Sequence, residues 1–290
     1  MAFLSKLFGK NKELKENKKV SKKARKTEEI QSKTTAVARK MSFQVGNLQG
    51  AGMREYQEDS FALVNAVDVI EMQKNGLFCV LADGMGGMQN GKAASEMAIS
   101  CLKEDFLSMN RKGNLCQQLR ESMIEAGEAL YARFERKSGT TAIACLFYEE
   151  NMYFASIGDS SLYLKRGSKL LQLNREQTYR EHLLRKMAHN PDWDIESAYD
   201  DPEADCLMEF LGKDDMGEPD YFSKPFHLEA GDQILICSDG VSKVLSDQQI
   251  FTCLDTAYAL DACERLEQAV LAVGLPTQDN YTAIVVSCDY

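Results

Sequence analysis

The order of the predicted elements in this 290-residue chain indicates an α+β sandwich and argues against a doubly wound parallel sheet. Strand-like runs come first, two consecutive amphipathic helices follow, and strand-like runs then return. A doubly wound fold alternates single strands with single helices, which this grouping does not do. With 44% hydrophobic and 27% charged residues, the chain also has the composition of a globular protein with a sizeable core.

Apolar runs and helical spacing predict the elements of the first half of the chain. Strands are expected from about Ser42, and residues 76–82 (GLFCVLA) form a continuous apolar run that is typical of a strand buried on both faces. Apolar residues at helical spacing predict two helices, over residues 92–109 and 115–134. Two further strands are predicted, over residues 141–148 and 152–157.

Turn and capping signals predict the elements of the second half. Arg166-Gly167-Ser168 lies between two short apolar runs and predicts a hairpin. Residues 174–222 are polar, with one short helix expected near 180–188, and are interpreted as a surface insertion or flap. Buried strands are then predicted over residues 233–238 and 281–288. Between them, the capping-box pairs Ser246/Gln249 and Asp261/Glu264 predict two helices, the second ending near Gly274.

Charge divides the chain near residue 40. Residues 1–40 carry 13 Lys and Arg and 4 Glu, a net of +9, so the remainder carries −19 within the overall −10. A domain with a net charge of −19 repels the phosphate backbone, so nucleic-acid binding is not expected. Residues 1–41 are predicted to be a basic, disordered tail. Docking to an acidic partner or an anionic membrane surface is the alternative, because Phe3, Leu4, Leu7 and Phe8 fall at helical spacing.

The cysteine pattern and the absence of long apolar runs bear on the compartment. No run reaches the ~20 apolar residues that a membrane helix needs, and the N-terminus lacks the apolar stretch of a secretory signal. Nine cysteines without a C-x-x-C pair favour reduced thiols over a disulfide framework or a zinc ribbon. We therefore expect a cytoplasmic protein whose cysteines belong to the core.

Aspartates stand at the ends of predicted strands. Asp83 and Asp239 each follow an apolar strand and precede a glycine, Asp159 follows Gly158, and Asp279 comes directly before the last strand. A glycine beside such a carboxylate lets the backbone turn sharply. Clustered carboxylates raise one another's pKa unless cations neutralise them, and all-oxygen ligands suit Mg²⁺ or Mn²⁺. A single Asp-Gly is typical of a plain turn, whereas four tips of this kind indicate a metal site.

A second candidate group lies at residues 54–59. The planar guanidinium of Arg54 suits phosphate oxygens, and Glu58 and Asp59 add carboxylates four and five residues later. In isolation this pattern is more typical of a solvated surface ion pair.

Taken together, these segments resemble the type 2C metal-dependent serine/threonine protein phosphatases, in the bacterial style. The matching segments follow the family's order through residues 43–290: residues 52–60, 81–87, 91–95, 138–141, 157–160, 237–240 and 279–282. The resemblance implies a four-layer α-β-β-α sandwich of two antiparallel sheets flanked by helices. It also implies a phosphatase domain over residues 42–290 in which residues 174–222 are a variable flap.

The resemblance implies a set of metal ligands. Asp83 would bridge two Mg²⁺ or Mn²⁺ ions, and the carbonyl of Gly84 would bind one of them. Asp239 and Asp279 would complete the shell of the first ion, and Glu58 would hold the second, partly through water. A hydroxide bridging the two ions would attack the phosphorus of phosphoserine or phosphothreonine.

The resemblance implies further roles, and the chain departs from the family at Met85, at Gln57 and, most seriously, at Lys243. Arg54 would grip the substrate phosphate, Asp59 would hydrogen-bond metal-bound water, and Asp159 would contribute to a third, weaker metal site. Lys243 occupies a position where the family usually has aspartate. Its ammonium group could neutralise Asp159 as a built-in cation, so a weakened or absent third metal and slower turnover are expected, with the two main metals retained.

The expected function is metal-dependent hydrolysis of phosphoserine and phosphothreonine in proteins, with phosphorylated proteins and a Ser/Thr kinase as partners. Two alternatives stay open. One is a catalytically weak pseudophosphatase that binds phosphoproteins, for which Lys243 is the only support. The other is a hydrolase of a small phosphomonoester. The sequence identifies neither the physiological substrate nor the oligomeric state.

Overall fold

The structure, a computed structural model, describes residues 40–85, 90–188 and 194–290. Gly86 and Gly87 of the segment after Asp83 lie outside the described residues, as does the predicted tail apart from Lys40 and Met41. Contacts divide the chain into two units, Met1–Lys40 and Met41–Tyr290.

The described residues contain eleven strands and eight helices. The strands are β1 (Ser42–Gly50), β2 (Ser60–Val64), β3 (Leu77–Ala82), β4 (Ala142–Tyr148), β5 (Asn151–Ile157), β6 (Ser161–Arg166), β7 (Lys169–Gln172), β8 (Asp220–Tyr221), β9 (Phe226–His227), β10 (Gln233–Cys237) and β11 (Tyr281–Asp289). The helices are α1 (Val69–Asn75), α2 (Gly91–Ser108), α3 (Leu115–Phe134), α4 (Tyr179–Met187), α5 (Glu196–Tyr199), α6 (Asp239–Ser242), α7 (Asp247–Leu254) and α8 (Ala259–Val273).

The strands form two antiparallel sheets. One has the order β1-β11-β10-β6-β7, and the other has the order β2-β3-β4-β5-β8, with β9 also pairing with β5. Some neighbouring strands lie side by side with their ends level. The first residue of β2 pairs with the last of β3, and the first of β6 pairs with the last of β10. Loops that enter or leave these strands are therefore brought to the same end of the sheets.

Three apolar clusters separate four layers, as the α-β-β-α prediction requires. Alternate side chains of β3 show the division. Phe78 and Val80 pack with helices α2 and α3, whereas Cys79 and Leu81 pack against the sheet that contains β1. The opposite face of the sheet that contains β1 packs against α7 and α8. The predicted α+β sandwich of two antiparallel sheets flanked by helices is confirmed.

Capping predictions for the last two long helices have different outcomes. The capping box of Ser246 and Gln249 is present at the start of α7, and Gly274 ends α8 with a φ of 64°. The predicted box at Asp261 is wrong, because α8 already begins at Ala259 and Asp261 lies in its first turn. The earlier start buries Ala259 against the sheet, which outweighs the local capping signal.

The sequence analysis predicted neither strand β2 nor helix α1 as a separate element. Strand β2 has only five residues and is partly buried along most of its length, so its pattern is weak. Helix α1 buries one side chain, Met72, and is started by Asp68, whose carboxylate accepts hydrogen bonds from two backbone N–H groups. Both elements lie outside the long periodic runs on which sequence reasoning depends.

The stretch predicted to be a flap, residues 174–222, contains helices α4 and α5 and ends in the sheet. Strand β8 pairs with β5, and Leu211 is fully buried in the cluster beneath α2 and α3. Its variability among related proteins stays a prediction. None of the helices in the described ranges has the length and apolar composition needed to cross a membrane.

The cysteines provide a test of the fold. Cys206 is exposed, Cys101 is half-buried and the other seven are buried and unpaired. Burial raises the pKa of the enclosed thiols, that of Cys263 to about 12. Because thiolates are the reactive form, we expect one fast-reacting thiol in native protein with Ellman's reagent and nine after denaturation. Cys206→Ser should remove the fast phase, and a fast phase that persists in this variant would contradict the described packing.

Candidate metal centre

One end of the two sheets collects the acidic residues that the sequence singled out. Asp59 directly precedes β2 and Asp83 directly follows β3. Asp239 begins α6 just after β10, and Asp279 lies two residues before β11. Asp159 lies between β5 and β6. All these strand ends lie at the same end of the sandwich, so acidic residues that are far apart in the sequence come close enough for their charges to interact.

Asp83 is at the centre of this acidic group. Its side chain is half-buried, and the loss of water around the carboxyl group raises its pKa well above the ordinary value. The charges of Asp59, Asp239, Asp159 and Asp279 raise it further. A carboxylate in such surroundings is stabilised by a proton or by cations.

Asp59 is fully buried, and only one of its two carboxylate oxygens has hydrogen-bond partners. Its Oδ2 accepts hydrogen bonds from Thr282 Oγ1 at 2.7 Å and from Ser238 Oγ at 2.9 Å. Its Oδ1 is buried with no hydrogen-bond partner. Burial, with a smaller contribution from the charge of Asp239, raises the pKa of Asp59 to about 6. A buried polar atom without a partner costs about 1–3 kcal/mol, so Oδ1 is suited to a further ligand.

The backbone that carries Glu58 and Asp59 is clamped from two sides. The N–H of Glu58 donates to Asn280 Oδ1 at 2.7 Å, and its carbonyl accepts from Ser95 Oγ at 2.5 Å. Lys92 donates from Nζ to the carbonyl of Asp59 at 2.8 Å. The Glu58 side chain is half-buried, and burial raises its pKa.

Gly84 lies where no larger residue fits. A Cβ at this position would collide with the carbonyl oxygens of Gly91 and Glu58. Gly91 is similarly constrained, since its own Cβ would approach the Glu58 side chain. The close packing brings the backbone after β3 next to Glu58, as a carbonyl ligand beside that carboxylate requires.

Two cations of the chain are paired with the acidic group. Arg54 contacts Asp279 at 2.6 Å, with both side chains about half exposed. Lys243 Nζ lies 2.8 Å from Asp159 Oδ2 and 2.8 Å from Asp239 Oδ2. Although burial opposes it, the charges of Asp159 and Asp239 raise the pKa of Lys243, so the ammonium form is retained.

The donor set fits hard divalent cations in chemistry, but its side chains are arranged around the chain's own cations. Within residues 40–85, 90–188 and 194–290, no three His, Cys, Asp or Glu side chains surround a common point closely enough to hold a metal ion. Asp239 and Asp279 are paired with Lys243 and Arg54 instead. The free Oδ1 of Asp59, the raised pKa of Asp83 and the exclusively oxygen donors nevertheless fit Mg²⁺ or Mn²⁺.

Sequence reasoning missed the uncharged side chains that hold the acids. Ser238 and Thr282 bind Asp59, Gln49 donates to Thr282 Oγ1 at 3.2 Å, and Asn280 binds the Glu58 backbone. Three of these lie within segments already noted for an aspartate. Their signal is a polar residue placed inside or beside a buried apolar strand, where an unpaired hydroxyl or amide would be costly.

Comparisons with known proteins identify relatives of this chain. The model of the family described as "Protein phosphatase 2C" matches residues 43–182. Serine/threonine protein phosphatase PstP of Mycobacterium tuberculosis is 30% identical over 236 residues, which cover 79% of this chain and 44% of that protein. The match thus spans less than half of that relative's length. Serine/threonine phosphatase stp of Listeria monocytogenes is 28% identical over 230 residues, 76% of this chain and 88% of that protein.

Solved structures show the same similarity. The crystal structure of M. tuberculosis PstP superposes with a TM-score of 0.69 at 27% identity and covers 87% of this chain and all of that one. The PstP catalytic domain in complex with two manganese ions also has a TM-score of 0.69 at 27% identity, covering 86% and 100% of the two chains. On its fold, its ordered segments and these relatives, the chain belongs to the protein phosphatase 2C family.

Proposed function

We propose that this chain is a metal-dependent protein phosphatase that hydrolyses phosphoserine and phosphothreonine in proteins, with Mg²⁺ or Mn²⁺ as cofactor. The observation that carries the proposal is the cluster of carboxylates around Asp83, whose own pKa is raised by loss of water and by four neighbouring carboxylates. Further support comes from relatives named as serine/threonine phosphatases and from the PstP structure that contains two manganese ions.

We assign the metal ligands according to the positions described above. Asp83 and the carbonyl of Gly84 would hold the ions at the centre, with Asp239 and Asp279 on one side and Glu58 on the other. Ions bound there would lower the pKa of a water nucleophile and neutralise charge on the phosphoryl group. Rigid strand ends support this assignment, because they limit how far the carboxylates can move apart on repulsion.

Arg54 is proposed to bind the substrate phosphate. Its side chain is half exposed at the rim of the acidic group, and Asp279 is its present partner. When Asp279 becomes a metal ligand, the guanidinium loses this partner and its fork of donors becomes available to phosphate oxygens. Arg54 would thus exchange one anion for another without leaving the site.

Asp59 is proposed to orient water at the centre. Thr282 and Ser238 fix one oxygen of its carboxylate, which leaves Oδ1 free to accept a hydrogen bond. The pKa of about 6 belongs to the metal-free protein, and bound cations would lower it, so Asp59 would accept the hydrogen bond as a carboxylate.

Lys243 is the observation that favours the alternative, a catalytically weak protein that binds phosphoproteins. Its ammonium group already neutralises Asp159 and Asp239. We propose that it takes the place of a third metal at Asp159, which would leave the two main ions but slow turnover. A hydrolase of small phosphomonoesters has no comparable support among the described residues.

Partners and location extend the proposal. A phosphatase of this kind acts on the products of a Ser/Thr kinase, so we include such a kinase as a partner. A cytoplasmic location is supported by nine cysteines without a disulfide. The net charge of +9 on residues 1–40 supports docking of that segment to an acidic partner or an anionic membrane surface.

Metal-dependent turnover is the direct test. We expect the full chain to hydrolyse a phosphothreonine peptide with Mn²⁺, to lose activity with EDTA, and to lose at least about 100-fold in kcat/KM as Asp239→Asn. Asp289→Asn is the matched control, since Asp289 is exposed at the opposite end of β11. Folded protein that binds Mn²⁺ without turnover would favour the pseudophosphatase. A higher kcat/KM on an aryl phosphate than on the peptide would favour the small-molecule hydrolase.

The raised pKa values predict how stability depends on pH. Burial raises the pKa of Asp59 to about 6 and that of Asp83 well above its ordinary value, so the folded, metal-free protein binds protons more tightly than the unfolded chain. The resulting stabilisation is present at low pH and is lost as pH rises through about 6 and beyond. With EDTA, the unfolding temperature should therefore be higher at about pH 5 than at about pH 7.5.

Mn²⁺ should restore stability at the higher pH, because cations replace the missing protons. Asp83→Asn should flatten the dependence in the absence of metal. A wild-type protein that is more stable in EDTA at the higher pH would contradict the electrostatic assignment.

Lys243→Asp tests the built-in cation. Removing the ammonium frees Asp159 and adds a carboxylate, so calorimetry should show a third Mn²⁺ ion, with turnover raised about tenfold. Lys243→Met is the control, because it removes the charge without adding a ligand and should not create the third site. Unchanged activity and unchanged Mn²⁺ dependence in Lys243→Asp would show that the prediction is wrong.

A further inference from the structure

The loop between β1 and β2, residues 51–59, carries Arg54 and Glu58 and lies directly on the residues that precede β11. The N–H of Met53 donates to the carbonyl of Gln278 at 2.8 Å. Gly52 has a φ of 60°, and a Cβ there would collide with the carbonyl oxygen of Asp279. The loop is thus in backbone contact with the segment that carries Asp279.

Asn280 fastens this loop through its side chain. Its Oδ1 accepts from the N–H of Glu58 at 2.7 Å, and its Nδ2 donates to the carbonyls of Ala51 at 2.9 Å and Tyr56 at 3.0 Å. The side-chain amide has two N–H donors, and both are used on this loop. Asn280 is only 5% exposed, so water cannot readily replace a bond that is lost.

The three bonds span the loop and reach across to the metal-ligand segment. They hold Ala51 at its start and Tyr56 and Glu58 near its end, with Arg54 between them. The backbone N–H of Asn280 also donates to Asp279 Oδ1 at 2.8 Å. Asn280 therefore contacts the backbone of Glu58 and the carboxylate of Asp279, which are both candidate metal ligands. It also supports the turn that presents Arg54.

We propose that Asn280 is a positioning residue that sets the placement of Arg54 and Glu58 relative to Asp279. The proposal rests on the function proposed above. Neither aspartate nor serine reproduces the arrangement: aspartate keeps the acceptor but faces two carbonyls with no donor, and serine has a single hydroxyl hydrogen. Asn280 would thereby couple metal binding to phosphate binding without touching either ligand.

A suitable control is a buried amide at the opposite end of the same sheet. Gln233, 3% exposed, begins β10 and is remote from the acidic group along that strand. Its Nε2 donates to the carbonyl of Thr256 at 2.7 Å and its Oε1 accepts from Ser287 Oγ at 2.6 Å. Its loss affects stability through the same kind of bond without involving the 51–59 loop.

The experiment compares Asn280→Ala, Asn280→Asp and Gln233→Ala in the full chain, with Mn²⁺ titrated by calorimetry and with kcat and KM for a phosphothreonine peptide. Asn280→Ala should weaken Mn²⁺ binding and raise KM, each by about tenfold. Asn280→Asp should raise KM similarly but weaken Mn²⁺ binding less, since the bond to the Glu58 N–H is kept. Gln233→Ala should lower the unfolding temperature while leaving Mn²⁺ affinity and KM unchanged.

Asn280 variants with wild-type Mn²⁺ affinity and KM, and only a lowered unfolding temperature, would overturn the proposal. If Asn280→Ala does not fold, Asn280→Asp decides by the same two quantities. A wild-type chain that does not hydrolyse the peptide would contradict the proposed function, whereas the Mn²⁺ titration would still test the positioning role.

Discussion

Repulsion among buried carboxylates is the constraint on which the functional end of this protein depends. Asp59 is buried and Asp83 half-buried at one end of the sandwich, and their pKa values are raised by the loss of water and by neighbouring acids. Such a group is stable only with protons or cations, and Lys243 and Arg54 supply part of the positive charge. Repulsion among the carboxylates lowers the stability of the metal-free fold and favours the binding of divalent cations. The lower stability and the capacity to bind such cations therefore have the same cause.

The two sheets make this strained arrangement possible by fixing where the acids lie. Antiparallel pairing aligns the start of β2 with the end of β3, so acids from distant parts of the sequence meet at one edge. Uncharged side chains then hold individual groups: Thr282 and Ser238 bind Asp59, and Asn280 binds the backbone of Glu58. Apolar packing on both faces of the sheets keeps these positions rigid, because the strand ends cannot separate without opening the core.

Sequence reasoning predicted what depends on periodicity and on local chemistry. The apolar run at residues 76–82, the two long helices and the box at Ser246 were all apparent, since each is encoded within a few turns or one strand. Strand β2 and the true start of α8 were missed because burial against a distant sheet decides them. The pairing of Arg54 with Asp279 was likewise unreadable, since side-chain partners 225 residues apart are set by the fold.

Lys243 shows how an ammonium group of the chain can stabilise part of an acidic site. An ammonium contributes one positive charge and hydrogen-bond donors, which suffice to offset Asp159 and Asp239. An ammonium group has no coordination position for a water molecule, so it cannot lower the pKa of a bound water as a divalent ion does. Its charge is also fixed by the chain, whereas bound metal depends on concentration. In the function proposed above, Lys243 would therefore stabilise the site at low metal concentration at the expense of a third metal and of turnover, while the carboxylates around Asp83 keep the greater need for divalent cations.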